Sequence, residues 1–122
     1  MYITNSFSIN MLNSNQKLHF TKLSGWNIKR FTEVAISAFG HEDIARIVSL
    51  NTGQEFKQNR ISISLDETSS VLIAQYRGPR LPEGATQLPD GAEIEYWLVS
   101  KWEGLEAAKV AANQEYIKLS RS

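Results

Sequence analysis

Residues 71–76, Val-Leu-Ile-Ala-Gln-Tyr, are almost continuously apolar. The run is short for a buried helix and suits a strand covered on both faces. Such a strand needs neighbours on its edges and further elements above and below it. It therefore constrains the whole chain to a layered arrangement of sheet and helices.

The rest of the pattern supplies the neighbours. Residues 2–7 (YITNSF) read as a first strand, and the following SINML as a turn or a single helical turn. Residues 17–23 (KLHFTKL) alternate, with Leu18, Phe20 and Leu23 facing inward and His19 outward. Residues 26–39 place Ile28, Phe31, Val34, Ala35, Ala38 and Phe39 at helical spacing, and Gly40 closes that helix. A second helix follows at once. Ile44, Ile47, Val48 and Leu50 form its apolar stripe, Glu42 and Asp43 lie in its acidic first turn, and Gly53 ends it. Residues 60–65 (RISISL) alternate and predict a strand forming a hairpin with 71–76 through the turn at 66–70. Residues 77–91 hold all three Pro and three of the seven Gly, a loop long enough to be functional rather than idle. A further strand covers 93–99, and 103–119 predict a C-terminal helix with Leu105, Ala108, Ala112 and Leu119 near one face. The expected order is β–β–α–α–β–β–loop–β–α: a single α/β domain over 1–122, with a mixed β-sheet of about five strands flanked by helices. Residues 103–122 form a helical extension. Trp26, Trp97 and Trp102 read as core or interface aromatics.

Composition excludes several classes of function. The 122 residues carry 13 basic and 13 acidic side chains, which is poor for a protein that coats nucleic acid. With no Cys there is no thiol chemistry and no zinc finger, and two His leave little for a metal site, so no metal and no cofactor is expected. No apolar run approaches the length of a membrane span, and the first residues lack the basic and apolar regions of a secretory signal. The expectation is a soluble cytoplasmic domain with no DNA or membrane partner. A neutral chain can still hold a locally positive pocket suited to a small anion.

Four elements could build such a pocket. His41 stands at the N-terminus of the second helix, where free amide groups attract phosphate. Taken alone, a histidine there more commonly caps the helix. Arg80-Leu81-Pro82-Glu83-Gly84 places a guanidinium and a carboxylate around a rigid proline and a flexible glycine, although an ordinary surface turn with a weak ion pair reads the same way. Asn5-Ser6-Phe7-Ser8-Ile9-Asn10 offers neutral donors and acceptors after a first strand, or simply turn chemistry. Gln58-Asn59-Arg60 brings another cation that either reaches a phosphate or stays solvated.

In this order, NSFSINML from Asn5, Gly40-His41, Asn59-Arg60 and Arg80-Leu81-Pro82-Glu83-Gly84 resemble the viral ring nucleases, an anti-CRISPR family directed against type III CRISPR immunity, with relatives encoded by bacteria and archaea. The resemblance spans about residues 2–99. It implies a homodimer that binds cyclic tetra-adenylate at its interface. It further implies metal-independent cleavage of the ring to linear di-adenylates ending in a 2′,3′-cyclic phosphate. His41 matches the family's essential histidine. Ser8, Arg80 and Glu83 match its supporting set, and Asn5, Asn10 and Arg60 its further ligand contacts. Two other classes remain open at this point: a protein that sequesters the cyclic nucleotide without cutting it, and a non-enzymatic interaction protein of a mobile element.

Overall fold

The computed structural model describes residues 1–102. Five strands form one mixed sheet: β1 (Tyr2–Thr4), β2 (Leu18–Leu23), β3 (Ile36–Ser37), β4 (Ser70–Arg77) and β5 (Glu93–Lys101). Three helices accompany them: α1 (Trp26–Thr32), α2 (Glu42–Thr52) and α3 (Leu65–Thr68). The strand order is β2-β5-β4-β1-β3. β1 runs parallel to both β3 and β4, while β5 is antiparallel to β2 and β4. The expected α/β class with a five-stranded mixed sheet is the class observed. The helix expected over 103–119 lies outside the described residues.

β4 is the apolar run, and it sits in the interior of the sheet with β5 on one edge and β1 on the other. Its alternate residues feed two cores. Leu72 and Ala74 join Ile3, Phe39, Ile44, Val48, Phe56 and Tyr96 beneath α2, with Ile28 and Phe31 of α1 packed against them. Val71 and Ile73 join Met11, Ile63, Leu65 and Val99 on the opposite face. A near-continuous apolar run is what a strand covered on both sides requires.

Three expectations change. The helix expected over 26–39 stops at Thr32, and residues 36–37 become strand β3. The Thr32 hydroxyl is buried and donates to the Ile28 carbonyl at 2.8 Å and the Lys29 carbonyl at 3.1 Å. Beyond it, the amides of Ile36 and Ala38 donate to the carbonyls of Met1 and Ile3, both at 2.8 Å. Ladder bonds to β1 outweigh a helical spacing that Ala38 and Phe39 satisfy equally well by packing from a strand end.

Residues 60–65 form no strand and no hairpin with β4. Both edges of β4 are already occupied, so no ladder is open to them. Their alternation instead points Ile63 and Leu65 into the second core and leaves Ile61 exposed. The turn expected at 66–70 is largely helix α3, closed by Ser69 at φ 64°. The true antiparallel partner of β4 is β5, reached through residues 78–92. The first strand is also shorter than expected, since β1 ends at Thr4 and frees Asn5.

The second face of the sheet is covered only in part. Phe7, Phe20, Ile73, Gln75, Arg77, Trp97 and Val99 line an open trough of about 350 Å³. Phe20, expected inward, is 52% exposed and meets Phe7 edge to face at 5.7 Å between ring centroids. Glu95 lies beside this trough, buried between Lys22 at 2.7 Å and Arg77. Trp26, expected in a core or interface, is exposed on α1 with Lys29 above its ring. His19, expected to be an ordinary surface residue, stacks on Trp102 at 4.9 Å between centroids.

Candidate functional site

The carboxyl ends of β1 and β3 lie side by side, and the chain leaving β3 runs through Gly40 and His41 into α2. Open α/β sheets commonly bind ligands at this end of their strands. The Asn5 side chain accepts a hydrogen bond from the Gly40 amide at 3.0 Å and so anchors the entry to α2. From the other side, the Gly40 carbonyl accepts from the Gln58 side-chain amide at 3.0 Å and from Nε of Arg60 at 3.2 Å. Asn59 completes the frame: its amide donates to the Phe39 carbonyl and its side chain to the Ser37 carbonyl, both at 2.8 Å.

His41 is the N-cap of α2, with an extended backbone at φ −123° and ψ 117°. Its Nδ1 accepts from the Ile44 amide at 3.3 Å. That bond requires Nδ1 to be unprotonated, so the neutral ring carries its proton on Nε2. The imidazole is exposed at the mouth of a cleft of about 420 Å³. The capping role and the placement at a cleft are both present in one side chain.

Gly40, His41, Glu42, Asp43, Arg46, Gln58, Arg60, Glu83 and Gly84 line this cleft. His41, Arg60 and Glu83 are thus brought together from three distant segments, with Asn5 bonded to the cleft wall through Gly40. Ser8, Asn10 and Arg80 are not in its lining. Ser8 caps a single 3-10 turn over Ile9–Met11, its hydroxyl accepting from the Asn10 amide at 3.2 Å. Arg80 is exposed on the β4–β5 connection, and no ion pair joins it to Glu83.

Asp43 and Arg46 do more here than the sequence indicated. Asp43 Oδ2 accepts from the Gly84 amide at 3.0 Å, and its Oδ1 faces the Arg46 guanidinium at 2.9 Å. Arg46 also donates to the Ala85 carbonyl at 3.0 Å. The Gly84 amide, and then Arg46, hold the Asp43 carboxyl below its ordinary value of 3.8 against the opposing effect of desolvation. An acid in the first turn of a helix looks like dipole complementation, so no sequence signal separated this pair from that role. Among the described residues, no group of three or more His, Asp or Glu is placed to share a metal ion.

Fold and site together define a small α/β protein. Its cleft, at a helix N-terminus and the carboxyl ends of parallel strands, offers a histidine, two arginines and three carboxylates, of which Asp43 is paired with Arg46. Within that class, the chain belongs to the STIV B116-like family, which matches residues 1–100. It is similar to B116 of Sulfolobus turreted icosahedral virus, at 26% identity and a TM-score of 0.62 over 81% of this chain and 97% of that chain. Both findings support a viral family. No curated protein sequence matches the chain. Among the described residues, no helix is long and apolar enough to cross a membrane.

Proposed function

We propose that the chain is a metal-independent ring nuclease that binds cyclic tetra-adenylate between two copies of itself and cuts it into two linear di-adenylates. The reading is supported above all by the convergence of His41, Arg60 and Glu83 on one cleft at the start of α2. This is a place where amide groups and the helix dipole favour a phosphate.

The chemistry needs no external nucleophile. A ribose 2′-oxygen attacks the adjacent phosphorus, the new O2′–P bond forms, and the P–O5′ bond breaks. The products end in a 2′,3′-cyclic phosphate and a 5′-hydroxyl. His41 gives the departing O5′ its proton from Nε2, and the 2′-hydroxyl proton passes to Glu83 or to water. A positioned acid of this kind contributes about 10²–10⁴-fold. Arg60, in the cleft, is assigned to the phosphate charge; Arg80, Ser8 and Asn10, which lie outside its lining, are assigned to the parts of the ring that extend beyond it, and Asn5 to holding Gly40 at its edge.

The cap geometry adds a step. To act as acid the ring takes a second proton at Nδ1, and it can then no longer accept from the Ile44 amide. The released amide becomes a donor for the bound phosphate, so ligand and histidine exchange places as the helix cap.

The homodimer belongs to the same proposal. A cleft of about 420 Å³ is at the small end for ligand sites and suits one nucleotide unit better than a ring of four. A twofold pair of clefts would meet two opposite phosphates, and one His41 per chain would make both cuts. The apolar trough with Phe7, Phe20 and Trp97 is the surface we assign to the second copy.

The test is incubation of purified protein with labelled cyclic tetra-adenylate in EDTA, with products resolved by chromatography. Linear di-adenylate bearing a cyclic phosphate is the expected product. An intact ring that is tightly retained would replace this reading with sequestration. An intact ring that is not bound would leave an interaction protein.

A further inference from the structure

Residues 78–92 join β4 to β5 and carry Glu83 at a tight turn. The Ala85 amide donates to the Pro82 carbonyl at 3.1 Å, and Gly84 takes the left-handed φ of 77° that the third position of such a turn requires. The Tyr76 hydroxyl of β4 donates to the Pro79 carbonyl and Leu81 packs on the first core, but no hydrogen bond from the sheet reaches the turn itself. Among the described residues, its hydrogen bonds to the body of the protein are made by Asp43 and Arg46, one helical turn apart on α2.

We propose that Asp43 and Arg46 are positioning residues that set Glu83 against His41, a role that rests on the ring-nuclease reading. The Gly84 amide belongs to the same peptide unit as the Glu83 carbonyl carbon, so the Asp43 bond to it fixes the plane from which the Glu83 side chain departs. The Arg46 bond to the Ala85 carbonyl fixes the next peptide unit but one. Two constraints on alternate peptide units leave the turn little freedom to rock. The two clamps are also coupled, because one NH group of Arg46 serves both Asp43 Oδ1 at 2.9 Å and the Ala85 carbonyl at 3.0 Å. Glu42 lies near the same guanidinium at 3.6 Å. His41 caps the first turn of the helix that carries both clamping residues, so the histidine and the carboxylate are referenced to a single rigid element. Rigid support of this kind matters because a misplacement of about 1 Å can cost about 10²-fold in rate.

The experiment is single-turnover cleavage of labelled cyclic tetra-adenylate by the wild type, Asp43→Ala, Arg46→Ala, Glu83→Ala and the Asp43→Ala/Glu83→Ala double variant. Ligand affinity is measured alongside. Each clamp variant is expected to lose about 10–100-fold in cleavage rate with a much smaller change in affinity. The double variant is expected to be no slower than Glu83→Ala, because a clamp has no effect once the group it positions is gone. Asp43→Asn keeps an oxygen for the Gly84 amide and should recover part of the rate lost in Asp43→Ala. Unchanged rates, or losses that multiply in the double variant, would overturn the proposal while leaving the nuclease reading intact. A silent wild type would instead remove the nuclease reading, and with it the catalytic role of the clamp. The clamp is also read without turnover: the Gly84 amide should exchange its hydrogen faster in Asp43→Ala than in the wild type, and equal exchange would show that no clamp exists.

Discussion

At His41, capping and proton transfer use different ring nitrogens, and substitution can separate them. His41→Ala removes both, at a cost of about 1 kcal/mol in stability for the lost cap and about 10²–10⁴-fold in cleavage. His41→Asn supplies a good cap with no useful acid. It should melt near the wild-type temperature and still fail to cut, whereas an active His41→Asn would remove the histidine from the mechanism. Asp43 gives a pH dependence of known sign. Its carboxyl titrates below the ordinary value in the folded chain, so the stability it contributes is fully present above the unfolded carboxyl range and is lost as pH falls through the lowered folded value. Protection of the Gly84 amide should therefore persist from neutral pH down through the ordinary carboxylate range and fall away only in stronger acid. In Asp43→Asn that step should be missing. Glu83 and Arg60 stood out in the sequence through the family resemblance, because each taken alone also reads as an ordinary turn or strand-end charge. Asp43 and Arg46 did not, because their meaning comes from two backbone groups some forty positions away, and no local pattern encodes a loop landing on a helix.

The elements were legible in proportion to how much of their pattern is local. α2 carries a cap, an acidic first turn and a closing glycine that agree with its observed bounds, and of its expected stripe Ile44, Ile47 and Val48 are buried while Leu50 is exposed. Strand 71–76 was readable because burial on both faces leaves little polar punctuation. The region 33–39 departs from the expected helix because Ala35, Ala38 and Phe39 suit either period, and the decision rests with ladder bonds to β1. The alternation at 60–65 is real, but its partner is a sheet face rather than a sheet edge. The β4–β5 connection is the element whose precision matters most for the cleft, and its base is tight. A Cβ at Gly78 would stand 2.7 Å from the Ala92 Cβ. Gly78→Ala should therefore spread the two ends of the loop and lower stability by about 1–3 kcal/mol. It should also raise the exchange rate of the Gly84 amide. A Gly78→Ala chain with unchanged melting temperature and unchanged Gly84 exchange would show that the loop base is slack. At the other end of the core, the buried Tyr96 hydroxyl donates to Asn51 at 2.6 Å, and burial pushes its ionisation far above the usual phenol range. Its bond ties β5 to α2, the helix on which the cleft is built.

For the whole molecule, the two faces of the sheet differ in how they are finished. One is sealed by α1 and α2. The other ends in the trough beside Phe20 and Trp97, flanked by Lys22 and Arg77 around the buried Glu95. Phe20 is half in water already, so Phe20→Glu should leave the folded protomer intact by circular dichroism. If the trough receives a second copy, the same substitution should convert a sedimenting dimer into a monomer and abolish ring cleavage. A wild-type monomer in sedimentation, or a Phe20→Glu dimer, would place the partner elsewhere. The order of the strands also bears on how the chain is made. β1 leaves the ribosome first, yet it lies between β3 and β4, with Tyr2 opposite Ile36 on one side and Val71 on the other. It can pair with β3 early in synthesis, but its other edge stays open until β4 has emerged. Throughout that interval the nascent chain presents a bare strand edge beside incomplete cores, the state most exposed to mispairing with neighbouring chains on a polysome. Codon usage and chaperone access over the stretch between α2 and β4 are therefore expected to govern the yield of native protein more strongly than any equal stretch downstream of β4.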